Sequence, residues 1–154
     1  MNRLFVKSVK LITPDKIAEM KNICGKYTCN DVSISIDDDG AVSVCADTTP
    51  LFKAEISIVN DCLDSNSIIL GDEWERAYGN LEWRKSETDR IMPWYFVAYD
   101  AEKTYGFGVE TLPNALCSWR VNDDEIVLTI DMRSGTNGLL LNSGKLEVCK
   151  IVYA

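Results

Sequence analysis

The sequence predicts an all-β fold, an antiparallel β-sandwich with one short helix near its N-terminus. Three observations predict it. From residue 27 onward apolar residues recur with period two far more often than with period 3.6. Turn-forming clusters divide the chain into short segments spaced by about 8–12 residues, the pattern of sandwiches and barrels, and the number of segments favours two large packed sheets. The chain of 154 residues, 46% hydrophobic and 26% charged, is of a size for one core, so residues 1–154 are taken as one domain.

The N-terminal stretch Met1 to Lys10 scatters Arg3, Lys7 and Lys10 among apolar residues and reads as a strand. It has no continuous apolar run of the secretory type, which points to a cytoplasmic chain. A helix is expected from Pro14 to Cys24. Thr13 would be the N-cap, Pro14 the first helical position and Gly25 the residue after the last turn, with Ile17, Met20 and Cys24 sharing one face.

Val32, Ile34 and Ile36 alternate with Ser33 and Ser35; Asp37-Asp38-Asp39-Gly40 interrupts, and Val42 and Val44 resume, which is a hairpin pattern. The acidic run lacks the ligand spacing of an EF-hand loop, so a turn explains it and no metal is expected. Further strands are expected at 52–59, 67–70, 74–78, 81–84, 94–99, 105–109, 116–120, 126–132, 139–141 and 146–152. Tyr105-Gly106-Phe107-Gly108 is no phosphate loop, because it lacks a third glycine, a lysine and a following helix.

Composition excludes several functions. A net charge of -8 disfavours nucleic acid and anionic membranes as partners. No stretch approaches the ~20 apolar residues of a membrane helix. The chain has no histidine, which removes Ser/His and Cys/His catalysis and the mixed-ligand zinc sites. Its six cysteines are widely spaced with no CxxC pair, and are expected to be buried, reduced thiols. No cofactor is expected.

Residues 71–84, GDEWERAYGNLEWR, hold two tryptophans, a tyrosine, two arginines and four acidic residues. Aromatic rings beside carboxylates and guanidinium groups suit sugars: the ring stacks on the apolar C–H face and the charged groups bond hydroxyls. Such aromatics also serve plain burial, as core or interdomain contact. A catalytic acid pair is not evident. Glu73 and Glu75 would share a strand face, with nothing to mark either as a proton donor.

The run Asp72-Glu73-Trp74-Glu75-Arg76 with Tyr78-Gly79-Asn80-Leu81-Glu82-Trp83-Arg84 resembles the N-terminal domain of glycoside hydrolase family 36, the α-galactosidases or melibiases. Met92-Pro93-Trp94-Tyr95-Phe96, then Tyr105-Gly106-Phe107-Gly108-Val109 with Cys117-Ser118-Trp119, then Asp131-Met132-Arg133-Ser134-Gly135 through Leu146-Glu147, follow in the order the resemblance expects. It covers about residues 67–151. The resemblance implies a large twisted super-sandwich placed before a (β/α)8 barrel that carries both catalytic aspartates, about 5–5.5 Å apart in a retaining enzyme. It therefore assigns no catalytic residue here, and places the partner barrel after Ala154 in the same parent chain. It also implies that Trp74 adds an aromatic wall to the α-galactoside pocket, with Asp72, Glu73 and Arg76 contacting a sugar hydroxyl or holding the loop. Trp94 is a further candidate. An apolar, aromatic-bearing face near Trp74, Tyr78 and Trp83 is expected, open to self-association in the absence of the barrel. The competing expectation is a free-standing carbohydrate-binding or protein-interaction sandwich.

Overall fold

The computed structural model describes residues 4–74 and 82–154. Among these residues the structure is all-β. The strands are β1 (Val6–Ile12), β2 (Ile17–Glu19), β3 (Lys21–Ile23), β4 (Lys26–Cys29), β5 (Val32–Ile36), β6 (Ala41–Ala46), β7 (Lys53–Val59) and β8 (Ile68–Gly71). They continue with β9 (Arg84–Lys85), β10 (Met92–Pro93), β11 (Tyr95–Tyr99), β12 (Thr104–Val109), β13 (Leu116–Val121), β14 (Glu125–Asp131) and β15 (Gly144–Tyr153). They form a six-stranded sheet, β10-β13-β14-β7-β1-β2, and a nine-stranded sheet, β3-β4-β5-β6-β15-β12-β11-β8-β9. Every pairing is antiparallel.

Alternation explains which side of each strand is buried, because successive side chains leave a strand on opposite faces. In β13 Cys117, Trp119 and Val121 are buried; in β14 Ile126, Leu128 and Ile130 are; in β7 Ala54, Ile56 and Ile58 are. Together with Val32, Ile34, Val42, Val44, Phe96, Val148 and Ile151 of the other sheet they make one hydrophobic cluster. An aromatic knot lies within it. The Phe96 and Phe107 rings stack at 5.0 Å, and Trp119 meets Phe96 edge-on at 5.9 Å.

The expected helix at 14–24 is not formed. Thr13 does close a turn, but its N–H donates to the Lys16 carbonyl at 2.9 Å, and Ile12 then pairs with Ile17 as β2 runs back along β1. Gly25 does take a positive φ, +82°, but next to Cys24 at +52°, as the two-residue left-handed turn between Ile23 and Lys26. That geometry matches the right-handed twist of a hairpin. The cap-like residues at both ends thus serve strand reversals. The proposed apolar face also fails: Met20 is buried, whereas Ile17 and Cys24 are exposed. Met20 alone links β2 of one sheet to β3 of the other.

The hairpin at Asp37–Gly40 joins β5 to β6, with the Asp37 N–H on the Ala41 carbonyl at 3.0 Å and Gly40 at φ +92°. Among the described residues no group of three His, Cys, Asp or Glu is placed to hold a metal. All six thiols are free, but only Cys117 and Cys149 are buried; Cys24 is exposed and the other three are partly covered. Residues 139–141 contribute one isolated bridge, Leu51 to Leu139, where a strand was expected. The strands at the sheet edges, β10, β2, β3 and β9, are each two or three residues long.

Candidate functional site

The site grows from a corner. β10 belongs to the six-stranded sheet and β11 to the nine-stranded one, and only Trp94 lies between them. To turn there, Trp94 adopts φ +67°. A bulky residue in the left-handed region is an outlier that persists only where its surroundings hold it. Three hydrogen bonds do so. The Trp94 N–H donates to the Cys117 carbonyl at 3.0 Å, and its own carbonyl accepts from Val109 N–H at 3.2 Å and from Trp119 Nε1 at 3.1 Å. The buried Trp119 thereby satisfies the only polar atom of its side chain and locks the corner.

Trp94 in turn supports Trp74. The two rings meet edge to face, with centroids 5.8 Å apart and planes at 77°. Trp74 remains 53% exposed. Its backbone leaves the end of β8 through Gly71, where an added Cβ would lie 2.4 Å from Met92 Cγ and Sδ, so a larger residue there would have to displace the buried Met92 side chain.

Asp72 is buried, and its Oδ1 accepts the Glu73 N–H at 2.9 Å. Glu73 Oε1 lies 3.9 Å from Arg90 Nη2. The Arg90 side chain, only 8% exposed, also aims its guanidinium at the carbonyls of Ile69 and Gly71, at 3.5 and 3.4 Å. These contacts tie the segment carrying Trp74 to its neighbours. Arg76, Tyr78 and Glu75 lie outside the described residues. Trp83 is nearly half exposed. The structure therefore brings Trp74 and Trp94 together, buries Asp72 and sets Glu73 against Arg90.

Trp74 and Ile91 wall a cleft of about 400 Å³ whose floor is the outer face of the six-stranded sheet. That volume falls within the range of ligand sites. Lys53 and Glu55 of β7, Ser118 and Arg120 of β13, and Thr129 and Asp131 of β14 line it, with Ile12 of β1 at one side. They are the outward phase of strands whose inward phase makes the core. Register sets them in cross-strand rows: Ser118, Thr129 and Glu55 in one, Asp131, Lys53 and Ile12 in the next. Arg120 reaches across β14 to place Nη2 2.8 Å from Glu55 Oε1. Its Nε is buried without a hydrogen-bond partner among the described residues. Asp131 is gripped by Arg133, with Nη2 to Oδ2 at 2.7 Å, and that guanidinium holds its carboxyl below the usual carboxylate range. The two carboxylates of the floor are thus each paired with an arginine, Glu55 with Arg120 and Asp131 with Arg133.

Of the residues lining this cleft the sequence singles out Trp74 alone, and neither Ile91 nor any residue of the floor. The outward residues of 53–55, 118–120 and 129–131 alternate legibly with the apolar ones, but only the order β13-β14-β7 makes them neighbours.

A second cleft, about 570 Å³, opens where Val6 and Ile58 of one sheet face Ile36 and Ile151–Tyr153 of the other, with Asp37–Gly40 at its rim. Apart from the acidic turn at its rim its walls are mainly apolar, and it holds none of the residues proposed from the sequence to contact a sugar.

No family model, curated protein or solved structure matches this chain.

Proposed function

We propose that this chain is a non-catalytic, sugar-contacting β-sandwich, of the type that packs on the barrel of an α-galactosidase-like glycoside hydrolase and lines its sugar pocket. One observation carries the sugar half of the reading: Trp74, an exposed ring held edge-on by a left-handed Trp94, stands at the wall of a polar cleft. An indole stacks on the apolar face of a pyranose, and surrounding hydroxyl, carboxylate and guanidinium groups match its hydroxyls in both donor and acceptor sense. The hydrolase half rests on the ordered resemblance across residues 67–151. The candidate acids give no support to catalysis within the chain, since Asp72 is buried and Glu73 faces Arg90.

A free-standing carbohydrate-binding domain is the second reading, favoured by a cleft whose walls and floor all come from these residues. The coding sequence beyond residue 154 separates the two: a (β/α)8 barrel with paired aspartates supports the first, and a stop codon the second. Titration with galactosides, read by tryptophan fluorescence, tests what they share. Saturable quenching that Trp74→Ala removes is the expected result; no response, or an undiminished one in the variant, overturns the sugar reading. Turnover of an aryl α-galactoside by the chain alone would overturn its assignment as non-catalytic.

A further inference from the structure

We infer that the floor of the cleft is a second sugar subsite, complete within this chain, which takes the unit next to the ring stacked on Trp74. The inference rests on the sugar reading of Trp74 and adds the residues that the family resemblance does not point to. Four strands, β13, β14, β7 and β1, contribute to the floor. With neighbouring strands about 4.8 Å apart the floor is about 14 Å across, longer than one pyranose needs. Trp74 and Ile91 occupy the wall and leave the sheet surface for something else.

The chemistry of that surface selects among ligands. Glu55 is paired with Arg120 and Asp131 with Arg133, which leaves Lys53 as the one further cation of the lining, too little to select a strongly charged ligand. A protein partner fits poorly as well, since interface cores are depleted of charged groups. Ser118 and Thr129, directly opposed in the ladder, present two hydroxyls side by side. Glu55 and Arg120 present an acceptor and a planar donor joined by a single hydrogen bond. Acceptor, fork and hydroxyls in one shallow patch complement adjacent hydroxyls of a neutral glycan, each of which donates and accepts.

The test compares galactose with an α-galactosyl disaccharide on the wild-type chain and on Glu55→Gln/Arg120→Met, with unchanged circular dichroism and Tm as the check on folding. Wild type should bind the disaccharide about tenfold more tightly than galactose, the effect of one or two charge-assisted hydrogen bonds. The double variant should lose this preference and bind the two sugars equally. Ser118→Ala/Thr129→Val, which removes the hydroxyl pair alone, should lower the preference by a smaller factor. A preference that persists in the Glu55/Arg120 variant, with Trp74→Ala still abolishing binding, overturns the second subsite and leaves the Trp74 reading intact. Absence of binding by either sugar overturns both, and equal binding of the two by wild type overturns the subsite alone.

Discussion

Met20 and Trp94 are both single-residue crossings from one sheet to the other, and they make the crossing in different ways. Met20 keeps to negative φ, buries its side chain and donates its N–H to the Val9 carbonyl at 2.8 Å. Trp94 takes a left-handed backbone, needs three hydrogen bonds to hold it, and supports an exposed ring. The first corner shows that the change of sheet requires no strain. The strain at the second therefore goes with what is local to it, the three hydrogen bonds that hold its backbone and the ring it packs against Trp74.

The contrast can be broken at several points. The largest effect is expected from Trp119→Ala, which empties the core knot and removes the donor to the Trp94 carbonyl: about 3–5 kcal/mol of stability lost in denaturant unfolding, accompanied by loss of sugar quenching. Met20→Ala should cost about 2–4 kcal/mol by cavity formation, with the galactoside response of the surviving folded fraction unchanged. If sugar binding falls there too, the two corners are not separable. At position 94 the usual order of small residues should invert. Trp94→Gly, free of the left-handed penalty, should be more stable than Trp94→Ala by about 1 kcal/mol. Trp74→Ala, which removes one edge-to-face ring contact of a half-exposed side chain, should cost about 0.5–1.5 kcal/mol of stability, while removing the fluorescence response.

The smallest effect concerns pH. Asp31 accepts the Thr49 hydroxyl and the Asp47, Thr48 and Thr49 N–H groups, which hold its carboxyl well below the ordinary value of 3.8. The folded state thus prefers the ionised form. Its contribution is fully present above the unfolded value and is lost as pH falls through it toward the lower folded value. Asp131, lowered by Arg133, behaves alike. Tm should be flat from neutral pH to about 5 and decline below about 4, and Asp31→Asn should reduce that acid slope.

Much of this was legible beforehand because it is local. Period-two patterning located most of the strands between 32–36 and 146–152, although 139–141 makes only an isolated bridge and 75–78 lie outside the described residues, and Asp37–Gly40 announced its hairpin. The helix at 14–24 misled because Thr-Pro and Gly are ambiguous punctuation: a Thr13 that could cap also closes a turn, and a Gly25 that could end a helix also completes a left-handed hairpin. Trp94 was expected within a strand, since nothing in Met-Pro-Trp-Tyr-Phe says that the chain changes sheets there. Arg120 and Glu55, 65 residues apart, meet only through the long-range order of β13, β14 and β7. No local pattern encodes that.

The brevity of the outermost strands has a consequence for the behaviour of the protein at high concentration. The six-stranded sheet ends in Met92–Pro93 and Ile17–Glu19, the nine-stranded one in Lys21–Ile23 and Arg84–Lys85. Each border offers a template two or three residues long, one interrupted by proline, which has no N–H to give, and two bearing lysine or arginine. Edges of this kind deny a second molecule the row of free amides that fibril growth requires. A chain that leaves Trp74 and Trp83 exposed is thereby protected, along these sheet borders, from polymerising by strand addition.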